Sequence, residues 1–213
     1  MTRLQQLTLG TLAALIVSSL GFLTYTLLFS GGNDLSEAAY NSYANQPTLG
    51  QDTAPVKLIM FENFLCDHCK TFEEEVFPQL KRDYVDTGKV ELYYINLAWG
   101  SERARLAGLA GECAYQQDEN AFWDYKTALY AAQATWQDVT DLATLAMIDG
   151  LDADALRRCV EDERYQDEVQ RDLDLATRIG VQATPSLVLG NQGFEAPSYG
   201  VLKRAIDAQL SEG

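Results

Sequence analysis

Pro55-Val56-Lys57-Leu58-Ile59-Met60-Phe61 runs through Glu62-Asn63-Phe64-Leu65 into Cys66-Asp67-His68-Cys69, and this stretch decides the fold. The first seven residues are apolar apart from Lys57 and follow a turn-forming segment, which predicts a short buried strand. After the cysteines, Phe72, Val76, Phe77, Leu80 and Tyr84 recur at helical spacing, so a helix is expected over 66–84 with a kink near Pro78. Gly88 breaks the pattern, and residues 89–97 are rich in strand formers. The result is strand, helix, strand, with the cysteines at the C-terminal end of the first strand. Sites in open α/β sheets gather at such ends.

Two cysteines three positions apart in a helix have Cα atoms within the span of a disulfide, so the pair can open and close with little movement. A thiol at a helix N-terminus faces unpaired backbone N–H groups and the positive end of the macrodipole, which favour the thiolate. Cys66 is therefore the expected nucleophile and Cys69 its partner. His68 is the only histidine in the 213 residues. Protonated beside Cys66, it would stabilise the thiolate further and make the disulfide a stronger oxidant. Asp67 acts in the opposite sense, because a neighbouring negative charge raises a thiol pKa.

No charged side chain occurs from Leu7 to Phe29, a run long enough to meet the roughly 20 residues a bilayer core requires. Residues 1–30 therefore read as a transmembrane anchor or a signal sequence, with the uncleaved anchor favoured because no clear small-x-small site follows. Arg3 precedes the run, and Asp34 and Glu37 follow it, which keeps the N-terminus cytoplasmic and the rest extracytoplasmic. Disulfides persist in that compartment. Residues 31–47 hold mostly Gly, Asn, Ser, Gln and other polar residues and read as a linker. About 180 residues remain beyond the leader, enough for one domain with an insertion. A net charge of -15 argues against nucleic acid or an anionic membrane surface as partners.

From Ser101 to Ile179 the pattern is helical, with breaks near Glu119-Asn120, at Asp149-Gly150 and around Asp162. Ala183-Thr184-Pro185 then turns into the apolar strand Ser186-Leu187-Val188-Leu189, with Pro185 at its start, where a missing N–H is tolerated. Gly190-Asn191-Gln192-Gly193 is a hairpin candidate, Phe194 opens a short returning strand, and Tyr199 to Leu210 forms a closing amphipathic helix. Cys113 and Cys159 fall on helices of the insertion. A disulfide between them would contribute roughly 4 kcal/mol, and the alternative is two buried apolar cysteines. Trp99, Phe122, Trp123, Tyr125, Tyr130 and Trp136 are expected mainly in the core. Phe64 and Leu65 precede Cys66 and could form an apolar rim touched by an unfolded substrate.

Taken together, the lead-in Gly50 to Pro55, the block Phe61 to Cys69, Glu112-Cys113-Ala114, Phe122-Trp123 and Gly180-Val181-Gln182-Ala183-Thr184-Pro185 resemble the DsbA-like branch of the thioredoxin superfamily over about residues 46–211. The resemblance implies an α/β chain with a thioredoxin-like fold, and the apolar run at the N-terminus adds a transmembrane helix before it. Residues 48–98 and 180–213 would form the thioredoxin-like domain, and 99–179 an inserted all-helical domain. It implies a cis Thr184-Pro185 bond whose backbone pairs with substrate, and it supports the Cys113–Cys159 pair, since some relatives carry a second disulfide there. No cofactor is implied beyond the Cys66–Cys69 disulfide, and no metal. The implied partners are unfolded or partly folded exported proteins and a quinone-linked membrane reoxidant; a monomer is expected, because no dimerisation domain is visible in the sequence. Two positions depart from the family pattern. Met60 stands where an acidic residue is common, with Glu62 two residues on as a substitute or a solvated surface residue, and Asp67 stands where many relatives carry proline.

The expected activity is thiol–disulfide exchange, in the direction of a dithiol oxidase. A reductase or isomerase on the same fold is the nearest alternative. From another class, Cys66, His68 and Cys69 could belong to a metal carrier, although three donors within four residues make a poor closed site.

Overall fold

A computed structural model describes residues 45–212. Strand β1 (Thr48–Leu49) and strand β2 (Val56–Glu62) precede helix α1 (Asp67–Glu75), the short helix α2 (Phe77–Leu80) and strand β3 (Val90–Asn96). β2 and β3 are parallel and in register from Val56 opposite Val90 to Glu62 opposite Asn96. Five helices follow: α3 (Glu102–Tyr115), α4 (Glu119–Ala131), α5 (Val139–Leu145), α6 (Ala153–Glu161) and α7 (Gln166–Ile179). Strands β4 (Ser186–Leu189) and β5 (Gln192–Glu195) and helix α8 (Tyr199–Glu212) complete the chain. The sheet order is β1-β3-β2-β4-β5, with only the β2–β3 pair parallel.

β2 is covered on both faces, which explains its nearly unbroken apolar run. Leu58 and Met60 point into the larger core with Leu92, Tyr94, Leu202 and the helical residues Phe122, Tyr125 and Leu156. Ile59 and Phe61 point the other way, against Ile95, Leu97, Val188 and, from α7, Leu175 and Ala176. Side chains alternate along a strand, so Glu62 shares the face of Leu58 and Met60. It is fully buried there. The solvated-surface alternative for Glu62 is thus overturned.

The helix expected over 66–84 is interrupted. α1 ends at Val76, α2 carries Pro78 in its first turn, and Lys81–Val85 forms one π-helical turn. Proline lacks an N–H and its ring crowds the carbonyl four residues back, so the helix stops a turn early and restarts where proline is tolerated. The break between α4 and α5 was not foreseen. Asp138 caps α5 there by accepting from the N–H groups of Thr140 and Asp141. Gly180 ends α7 at φ +80, and the Val181 N–H bonds back to Ala176 at 2.8 Å. That left-handed cap turns the chain toward the Thr184-Pro185 loop.

Among the described residues no helix is long and apolar enough to cross a membrane. The expected transmembrane segment at 1–30 and most of the linker lie outside the described residues.

Candidate active site

Cys66 is the N-cap residue of α1, at the C-terminal end of β2. Its backbone is fixed from three sides. The Cys66 N–H donates to Asn63 O at 2.9 Å, Lys70 N–H donates to Cys66 O at 3.1 Å, and Gln133 Nε2 donates to the same carbonyl at 3.1 Å. Cys66 is partly exposed and Cys69, one turn in, is buried, both as free thiols. The peptide bond Thr184-Pro185 is cis. It places Thr184 O 3.2 Å from the Cys66 sulfur, which donates to it. Asp67 and His68 are exposed in the first turn of α1. The two cysteines differ in surroundings: the Cys66 sulfur is accessible and the Cys69 sulfur is enclosed.

Burial raises the Cys69 thiol well above the usual thiol range, and the nearby Glu62 carboxylate and Cys66 add to this. The Asn63 backbone and the Thr184 side chain donate hydrogen bonds that offset part of the effect. Beneath Cys69 lies a buried charge cluster. Lys126 of α4 has no exposed surface; its ammonium bonds Glu73 of α1 and lies 3.4 Å from Glu62. The rings of Phe77, Tyr94, Tyr130 and Trp123 surround it within 4.5 to 5.8 Å. One cation cannot neutralise two buried carboxylates, so burial favours a proton on one of them. Glu62 is the one pushed up, to about 7. Desolvation raises its pKa against the opposing attraction of Lys126, and its Oε1 has no hydrogen-bond partner among the described residues. Tyr130 donates to Oε2 at 3.2 Å.

The residues predicted from sequence are not all placed as expected. Cys66, Cys69, Thr184 and Pro185 converge on one spot. Leu65 is half-buried and lines an open pocket of about 360 Å³ together with Asn63, Cys66, Trp99, Gly100, Ser101 and Thr184. Phe64 is not part of an exposed rim. It is 1% exposed and packs on Tyr94 and Tyr130, with ring centroids 6.0 and 5.3 Å away. The loop from β2 to α1 is too tight for two successive side chains to face solvent, because Asn63 Oδ1 accepts from Leu65 N–H and folds the chain over. Cys113 of α3 and Cys159 of α6 form a disulfide with Cα atoms 6.1 Å apart, within the insertion and away from this pocket.

Lys126 and Gln133 were missed. Lys126 stands among Phe122, Trp123, Leu129 and Tyr130 at spacings of three and four, so the helical period places its stem in an apolar stripe. Gln133 Nε2 also donates to Phe64 O at 2.9 Å, and no sequence signal marks that role.

The Thioredoxin family profile matches residues 42–208. The chain belongs to the thioredoxin superfamily. Within it, the DsbA-like branch is indicated by several relatives. The chain is 31% identical over 210 residues to the probable disulfide bond formation protein D of Bacillus anthracis, covering 95% of this chain and 94% of that one. To the disulfide bond formation protein D of Bacillus subtilis it is 29% identical over 185 residues, covering 84% and 83% of the two chains. Among solved structures, oxidised BdbD from Bacillus subtilis superimposes with a TM-score of 0.75 at 29% identity, covering 78% of this chain and 94% of that chain. DsbA from Chlamydia trachomatis gives 0.73 at 27% identity, covering 79% and 93%. This DsbA-like chain is a thiol–disulfide oxidoreductase with a thioredoxin-like fold that carries a helical insertion.

Proposed function

We propose that the protein is a membrane-anchored, extracytoplasmic dithiol oxidase that introduces disulfides into exported proteins. The asymmetry between accessible Cys66 and enclosed Cys69 carries this reading, and relatives that are themselves named for disulfide bond formation support it. A substrate thiolate attacks the Cys66 sulfur of the Cys66–Cys69 disulfide. The new bond joins substrate to Cys66, and the electron pair of the broken bond leaves on Cys69. A thiolate in that enclosed position is costly, and the Glu62 carboxyl supplies its proton, so the compartment holds one net negative charge before and after the transfer. A second substrate thiolate then attacks the substrate sulfur, and Cys66 departs as thiolate at the N-terminus of α1. Substrate loses two electrons, and the protein ends as the dithiol.

In this reading His68, in the first turn, favours the Cys66 thiolate, while the Thr184 and Pro185 backbone holds the substrate strand beside it. Regeneration of the disulfide requires an oxidant, which the resemblance assigns to a quinone-linked membrane protein. Among the described residues no three His, Cys, Asp or Glu side chains converge in a way that could hold a metal ion, so nothing in the geometry favours the carrier alternative.

The reduction potential tests the direction. A value near -120 mV marks an oxidase, and one near -270 mV marks a reductase and refutes the proposal. The Cys69→Ser variant is expected to accumulate a mixed disulfide when offered a disulfide-bonded peptide: the Cys66 thiolate attacks one peptide sulfur, the other leaves as a thiolate, and no second thiol at position 69 can release the product.

A further inference from the structure

We propose that Gln133 is a positioning residue for the nucleophile: its side-chain amide, by donating to the Phe64 and Cys66 carbonyls, favours the reduced dithiol over the disulfide and so strengthens the protein as an oxidant. The inference rests on the thiol–disulfide exchange assigned to Cys66 and Cys69, and it adds a residue of the insertion that sets how far that exchange runs.

Three observations carry it. Gln133 is polar yet only 7% exposed, and its Nε2 donates to two carbonyls, Phe64 O at 2.9 Å and Cys66 O at 3.1 Å. The peptide unit between Phe64 and Leu65 is gripped at both ends, since Gln133 holds its oxygen and Asn63 Oδ1 accepts from its N–H at 2.7 Å. Gln133 is also firmly mounted. Its N–H donates to Tyr130 O at 3.2 Å, and its carbonyl accepts from Arg103 Nη2. Arg103 Nε donates to Trp136 O at 2.9 Å, and the guanidinium carbon lies 4.2 Å from the centre of the Trp136 ring. Trp136 is itself buried, with its Nε1 donating to Leu129 O at 2.9 Å. A side chain ordered in advance donates with little further loss of rotamer freedom when charge develops beside it.

The charge in question appears in only one redox state. In the disulfide both sulfurs are neutral, whereas Cys66 leaves the exchange as a thiolate. The Cys66 carbonyl oxygen belongs to the same residue as that sulfur and carries partial negative charge, which Lys70 N–H and Gln133 Nε2 offset together. On its other side the sulfur faces Thr184 O at 3.2 Å, an acceptor that favours the thiol. Gln133 and the open N-terminus of α1 act against that acceptor. A donor that helps one redox state more than the other shifts the equilibrium between them, and a stabilised reduced form makes the stronger oxidant.

The test measures the equilibrium of the full-length protein with reduced and oxidised glutathione at pH 7, together with urea unfolding of its oxidised and reduced forms. Gln133→Met keeps the length of the side chain and removes the donors. Its equilibrium constant for reduction is expected to fall about tenfold, a potential lower by about 30 mV, and its reduced form should lose more stability than its oxidised form. Gln133→Lys returns donors to the same position and should bring the constant to within about twofold of the unmodified protein, or above it. An unchanged constant in Gln133→Met, with both forms destabilised equally, overturns the proposal, because Gln133 would then only brace the loop. An equal fall in the Met and Lys variants overturns it as well. Should Gln133→Met not fold, Arg103→Lys loosens the same loop without touching the amide; the constant should then fall about threefold, and no change would overturn the proposal. Failure of the unmodified protein to exchange with glutathione at all would instead overturn the oxidoreductase reading itself.

Discussion

Lys126→Met removes the only cation from the cluster under Cys69, and its cost follows from what the ammonium touches. Methionine retains most of the stem's contacts, so the loss is electrostatic. It comprises the ion pair with Glu73, the contact with Glu62 at 3.4 Å and the attraction of four ring faces, nearest that of Phe77 at 4.5 Å. Removing one partner of a buried pair costs about 3–5 kcal/mol, because a stranded charge remains. In the variant the attraction that opposes desolvation of Glu62 is gone, so its carboxyl keeps a proton to higher pH, the native state binds more protons than the unfolded one and stability rises as pH falls. The deficit should therefore be largest at pH 8 and shrink by pH 5. Urea unfolding of the single variant, of Glu73→Gln and of the double variant at both pH values measures it. The double variant should recover more than half the loss, since it buries no unpaired charge. A single-variant loss below about 1 kcal/mol, or a double loss equal to the sum of the two singles, would refute the argument.

Glu62→Gln removes the proposed proton donor while keeping Lys126 paired with Glu73. Peptide oxidation should slow by about 100-fold or more at neutral pH and lose its dependence on the Glu62 titration, read as the pH profile of the rate. Cys113→Ala with Cys159→Ala opens a loop with a sequence separation of 46 and should lower unfolding stability by about 4 kcal/mol, leaving one titratable dithiol per chain in a thiol count. Burial and the facing Glu112 push Asp172 up to about 8, and burial pushes Glu112 up to about 7. Both native pKa values exceed the ordinary carboxylate range, so stability is full below about pH 4 and declines as pH rises toward 8. Asp172→Asn should flatten that decline by about 2–5 kcal/mol between pH 5 and 9, measured by urea midpoints; a midpoint already constant with pH in the unmodified protein would contradict it.

The fold around the cysteines was legible because its elements announce themselves through periodicity. β2 reads as an apolar run, α1 as a helical stripe and the Thr184-Pro185 loop as a turn entering a strand. Each pattern reflects burial that a local window can detect. The charge cluster was only half legible. Alternation along β2 puts Glu62 on the face of Met60, but whether that face at its last position meets water or another helix depends on α4, which lies far along the chain. Phe64 shows the same limit, because a loop has no period, and its burial is set by Tyr94 and Tyr130 from β3 and α4. Gln133 was invisible, since a polar residue after a helix end reads as solvent-facing unless the carbonyls it serves are known.

These failures share one cause, which also bears on the mechanism. Lys126, Tyr130 and Gln133 all belong to the helical stretch between β3 and β4, yet all act on the β2–α1 junction, the first two on Glu62 from beneath and the third on the Cys66 carbonyl. Strand, CxxC helix and cis-proline loop are sufficient for a dithiol that can open and close. They do not provide a cation for two buried carboxylates or a donor for the Phe64 and Cys66 carbonyls. Under the proposed mechanism the insertion therefore contributes to the chemistry as well as covering the site. Any motion that swings α4 away from α1 would separate Lys126 from Glu73, leave both carboxylates uncompensated and shift the proton balance on which departure of the Cys69 thiolate depends.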